Sequence, residues 1–138
     1  MTRQRFLQCV DEAFQTIPSR FRDALQNIAI VVEDEPSLEQ LQEAGVDPPD
    51  TLLGLYEGTP LTERNWAHGN TLPDKVTLFQ GPIEEASVDE NDVVIAIGET
   101  LIHEIGHYFG LSEEEIEDIE ARYWRGEPGD TDEPAADD

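Results

Sequence analysis

Three observations predict one small α+β domain for this chain. Helical and strand-like patterns are interspersed along it, and its 138 residues suffice for a single modest core. One segment, from Ser87 to Gly110, has the length and apolar girth of a buried central helix. The expected organisation is a folded domain of residues 1–125 and a tail of residues 126–138. That tail, GEPGDTDEPAADD, is acidic, proline-containing and almost free of hydrophobes, which predicts disorder.

The elements follow from local pattern. Phe6, Val10, Ala13, Phe14 and Ile17 recur at helical spacing, so the first helix has one apolar face. Pro18 ends it, and PSRFRDAL restarts as a short second helix with the proline near its first turn. IAIVVED (Ile28 to Asp34) is β-branched and almost continuously apolar, the signature of a strand buried on both faces. In SLEQLQEAG, Ser37 is the N-cap, Leu38 and Leu41 face inward, and Gly45 is the stop. VDPPD is a turn, and TLLGLYEG (Thr51 to Gly58) is a second strand containing a glycine. Thr59 to Asp74 has no periodicity; irregular segments of this length in compact domains are commonly functional or mobile. KVTLFQ (Lys75 to Gln80) alternates Val76, Leu78 and Gln80 against Thr77 and Phe79, as a half-exposed edge strand does. GPIEEA gives a brief turn of helix.

The long helix starts near SVDEND, where Ser87 and Glu90 match a capping box. Val94, Ile97, Leu101, Ile105 and Tyr108 form its buried stripe. Gly98 and Gly106 each cost about 1 kcal/mol relative to alanine inside a helix, which close packing against the sheet would explain. Gly110 is a left-handed C-cap, and Ser112 with Glu115 opens a last helix, roughly Glu113 to Arg125, presenting Ile116, Ile119, Ala121 and Tyr123.

Charge is the one compositional extreme. With 32 acids against eight lysines and arginines the net charge is -24. Binding nucleic acid through its phosphates needs a basic footprint, so that class is excluded. An acidic surface keeps a protein hydrated, as in a salty cytoplasm. The acids are spread over many segments without regular spacing, which speaks against an acidic mimic of DNA. Cys9 is the single cysteine, so no internal disulfide forms and an oxidising compartment is not required. The N-terminus has no apolar core or cleavage site of a signal peptide, and no apolar run reaches the roughly 20 residues of a membrane span. A cytoplasmic monomer without a membrane contact is expected.

The chemistry concentrates in HEIGHYFGLSEEE (His103 to Glu115). His103 and His107 are four residues apart, so both imidazoles leave the same face of the helix, one turn above the other. That spacing lets two ring nitrogens reach one zinc ion at roughly 2.0–2.1 Å. Glu104 lies about 100° round the helix, where a carboxylate can take a proton from an attacking water without ligating the ion. A structural histidine pair accounts for the two rings but leaves the interposed glutamate unexplained. A third ligand is still needed, and the sharp turn at Gly110 carries the following residues back toward the ion. Glu113, ten residues after His103, is the first candidate; Glu117 and Glu120, one or two turns further on, are the alternatives.

These residues resemble the zincin metallopeptidases, and more narrowly the small minimal zincin, or zincin-like, family. The resemblance extends through IAIVVEDEP, LLGLYEGTPLTER and LPDKVTLFQGPIE in the same order, so it covers about residues 3 to 123. It implies that His103 and His107 are zinc ligands, that Glu104 is the catalytic glutamate, and that Glu113 stands where the family more often has aspartate. The Met-turn of metzincins is absent, as is the second subdomain from which gluzincins draw a glutamate ligand. The implied fold is α+β, a small mixed sheet packed on the active-site helix, with an edge strand that pairs an extended peptide. KVTLFQ is the candidate edge, making Val76 and Leu78 substrate-binding. Arg64, and less so His68, are candidates for polarising the oxyanion from the irregular loop. The expectation is a zinc-dependent peptidase acting on a peptide or protein; the alternative is a metal-binding interaction module with little or no turnover.

Overall fold

The computed structural model describes residues 1–58 and 74–124. In chain order its elements are α1 (Arg3–Phe14), α2 (Ser19–Ala24), β1 (Ile28–Glu33), α3 (Leu38–Ala44), β2 (Gly54–Glu57), β3 (Asp74–Phe79), α4 (Gln80–Glu85), α5 (Glu90–Phe109) and α6 (Glu113–Trp124). The strands form one mixed sheet in the order β1-β3-β2, with β3 parallel to β1 and antiparallel to β2. One face of the sheet lies on α5, and α1 and α6 pack against other sides of the same helix. The α+β architecture read from the sequence is therefore the observed one. Among the described residues no helix is long and apolar enough to cross a membrane.

Helix α5 is the axis of the core because it is apolar nearly all round. Val93, Ile97, Leu101, Ile102 and Ile105 are buried along it, beneath Phe6, Cys9, Val10 and Ala13 of α1 and Val76 and Leu78 of β3. Each large aliphatic or aromatic side chain sunk this way contributes about 1.5–3 kcal/mol of transfer free energy. Phe21 and Phe109 close the C-terminal end of α5 edge to face, ring centroids 5.5 Å apart.

Sheet order corrects two expectations. KVTLFQ is the middle strand, hydrogen-bonded on both sides, and IAIVVED is an outer strand with Ile28 buried and Ala29 exposed. Val76 and Leu78 are flanked by β1 on one side and β2 on the other, so their backbone has no edge to offer an incoming peptide. The alternation in β3 misled because its polar positions are also inside. Asp74 is 1% exposed and takes the Tyr56 hydroxyl at 3.0 Å on Oδ2, while Thr77 is completely buried. A buried polar residue looks solvent-facing in the sequence.

Two local expectations also change. The N-cap of α5 is Asp89, whose side chain accepts the Asp92 N–H at 2.9 Å, whereas the Ser87 hydroxyl donates to the Ile83 carbonyl at 2.8 Å and closes α4. Gly98 and Gly106 serve close packing, but against α6. A Cβ at Gly98 would lie 2.1 Å from the Tyr123 hydroxyl oxygen, and one at Gly106 would lie 2.8 Å from Ile116 Cγ1.

Candidate metal centre

The site begins with the end of α5. His103 and His107 stand one turn apart on it, ring centroids 4.8 Å from one another. Three residues later Gly110 takes φ 75°, ψ 25°, a left-handed conformation that costs any residue with a Cβ about 1–2 kcal/mol. This turn closes the helix: Leu111 N–H donates to the Gly106 carbonyl and Gly110 N–H to that of His107, both at 3.0 Å. Ser112 and Glu115 then cap α6 reciprocally. Glu115 N–H donates to Ser112 Oγ at 3.1 Å, and Ser112 N–H to Glu115 Oε1 at 2.8 Å. The chain reverses within three residues, and α6 runs back along α5.

The reversal brings Glu113, the first residue of α6, against both histidines. Its Oε2 lies 3.2 Å from His107 Nε2 and its Oε1 lies 3.9 Å from His103 Nε2. Glu117 is exposed on the next turn. Glu120 approaches the other ring nitrogen, with Oε2 at 3.6 Å from His103 Nδ1. Of the three acids considered for a third ligand, Glu113 is the one that faces the Nε2 atoms of both rings.

Glu104 occupies the inner side. His103, Glu104 and His107 have donor atoms within 4.8 Å of one another, a group that could hold a metal ion. Glu104 is already engaged elsewhere, however. Its Oε1 accepts the backbone N–H of Tyr56 at 2.9 Å and lies 3.6 Å from His107 Nδ1, the nitrogen turned away from Glu113. The Glu104 carboxylate, and behind it that of Glu113, hold the His107 imidazole pKa up to about 9 against the opposing effect of burial. Burial pushes the Glu120 carboxyl upward, with His103 acting the other way.

The Tyr56 contact depends on strand geometry. Phe79 N–H bonds to the Leu53 carbonyl at 2.9 Å, which sets the antiparallel phase of β2 and β3. By that phase Leu55 and Glu57 also bond toward β3, and the polar backbone of Gly54 and Tyr56 points outward from the sheet. Gly54 lets α5 come close: a Cβ there would meet Thr100 Cγ2 at 2.5 Å. The outer edge of β2 therefore borders an open groove of about 320 Å³, whose walls include Leu53, Gly54, Thr100, His103, Glu104 and Glu120.

Sequence reasoning missed the Tyr56 amide, because a backbone donor leaves no residue-type signal. Glu120 had one: Glu113, Glu117 and Glu120 recur at i, i+4 and i+7, a single helical face. Arg64 and His68 lie outside the described residues.

Among the described residues, a short mixed sheet lies over one long helix that carries a His-x-x-x-His pair able to hold a metal ion. The family model of zincin-like metallopeptidases matches residues 25–123, and the chain belongs to that family. Among solved structures, a conserved hypothetical protein of T. thermophilus superposes with a TM-score of 0.53 at 23% identity, covering 79% of this chain and 94% of that one; this likeness shows a shared fold. No curated protein matches the chain.

Proposed function

We propose that this chain is a zinc-dependent peptidase in which His103, His107 and Glu113 hold the ion and Glu104 is the general base. The observation that carries the proposal is the position of the Glu113 carboxylate, shared between the two Nε2 atoms. Zinc bonds of roughly 2.0–2.1 Å in a tetrahedral shell put neighbouring donors about 3.3 Å apart; the observed 3.2 and 3.9 Å bracket that spacing. Two imidazoles and a carboxylate are also a donor set that suits zinc. When bound, zinc acts as a Lewis acid on the scissile carbonyl and brings the pKa of water toward about 7.

The remaining steps belong to the chain. An extended peptide pairs with the outward-pointing backbone of β2 around Gly54, which replaces Val76 and Leu78 as the substrate platform. The Tyr56 N–H fixes one oxygen of Glu104 and leaves the other free for the proton of the attacking water. Water oxygen bonds to the carbonyl carbon, Glu104 passes that proton to the leaving nitrogen, and the C–N bond breaks. The Glu104 side chain is 12% exposed, so bulk water competes little for the transfer.

A second reading is a metal-binding interaction module with little turnover, and the exposure of Glu113, two-thirds open to solvent, favours it. Glu104→Gln separates the two. For a peptidase, hydrolysis of a peptide library followed by mass spectrometry should fall at least about 100-fold while bound zinc stays stoichiometric. Wild-type protein that binds zinc and cleaves nothing would leave the interaction module standing.

A further inference from the structure

We infer that Glu120 is a positioning residue that orients the His103 imidazole for metal binding, an inference that rests on the metal site proposed above. His103 has a carboxylate near each ring nitrogen: Glu113 Oε1 at 3.9 Å from Nε2 and Glu120 Oε2 at 3.6 Å from Nδ1. The two acids come from one face of α6, seven residues or two turns apart, so the helix that supplies the third ligand also supplies the second contact. At 3.6 Å the Glu120 contact is an ion-pair distance, just beyond a hydrogen bond.

Burial argues that the contact is functional. The Glu120 side chain is 20% exposed, and among the described residues its ion-pair partner is the His103 ring. A carboxylate so far withdrawn from water needs a donor, and His103 Nδ1–H is the group at hand. A proton held on Nδ1 leaves Nε2 with its lone pair free on the side of Glu113. Histidine ligands regularly give their second N–H to a carboxylate, which fixes tautomer and ring plane and makes the ligating nitrogen more basic. Glu104 lies on the corresponding side of His107, with Oε1 3.6 Å from Nδ1, but its bond to the Tyr56 N–H gives it different work. Glu120 has no such second engagement among the described residues.

The test is zinc affinity of the full chain, measured by chelator competition for wild type, Glu120→Ala, Glu120→Gln and the exposed control Glu114→Ala. Thermal melting without metal reports whether each variant folds. Glu120→Ala should bind zinc about 10–100-fold more weakly, and its cobalt complex should show an altered visible absorption band. Glu120→Gln keeps an oxygen that accepts from Nδ1–H, so it should recover most of the affinity; if the alanine variant does not fold, the glutamine variant and its cobalt spectrum still report on ring orientation. Wild-type zinc binding with no change in Glu120→Ala would overturn the positioning role and leave the metal site intact. Equal losses in both variants would also overturn it, since charge alone would then be the cause. Failure of the wild type to bind zinc would remove both proposals together.

Discussion

At the residue scale the two histidines are unlike. His107 sits between Glu104 and Glu113, and its pKa rises from 6.5 to about 9. The folded value lies above the unfolded one, so metal-free protein draws stability from this proton below about pH 6.5. That contribution fades as pH climbs through about 9. The melting temperature of the metal-free chain should therefore drop across this window more steeply than that of His107→Gln. The same proton competes with the ion, because a ligating imidazole must be neutral. Zinc affinity should gain about tenfold per pH unit up to pH 9 and then level off. Parallel melting curves for wild type and His107→Gln would contradict the assignment.

At the element scale the centre is made by the joint between α5 and α6. Its parts are all local: a left-handed glycine, two backbone bonds that close α5, and a reciprocal cap that opens α6. That is why Gly110, Ser112 and Glu115 were legible, along with Ser37 and Gly45 in α3. Each signal lies within a few residues of its effect. Gly110→Ala should cost about 1–2 kcal/mol, and by opening the reversal it should move Glu113 away from the rings. Differential melting should show the lost stability and chelator competition a weaker zinc complex. Lost stability with unchanged zinc affinity would mean that Glu113 does not depend on this turn.

At the scale of the whole molecule the surface is crowded with like charge. A net charge of -24 repels itself and disfavours the compact state. Screening shortens the reach of that repulsion from about 10 Å at 0.1 M salt to about 3 Å at 1 M. Sodium chloride should raise the melting temperature by roughly 3–5 °C for each kcal/mol of repulsion removed. A flat or falling salt profile would show that the acids are balanced locally. Sequence by itself determined the helices, the caps of α3 and α6, the glycine stops of α3 and α5, and the i, i+4 placement of His103 and His107, because each depends on spacing along one helix or across one short turn. Only the tertiary structure decided that β3 lies in the middle of the sheet, that β2 is an outer strand among the described residues, and that Tyr56 and Glu120 meet Glu104 and His103. Those facts depend on which segments become neighbours: Tyr56 and Glu104 are 48 positions apart, and nothing in either residue names the other. Buried Asp74 and Thr77 look like surface residues until the strands on either side of them are known.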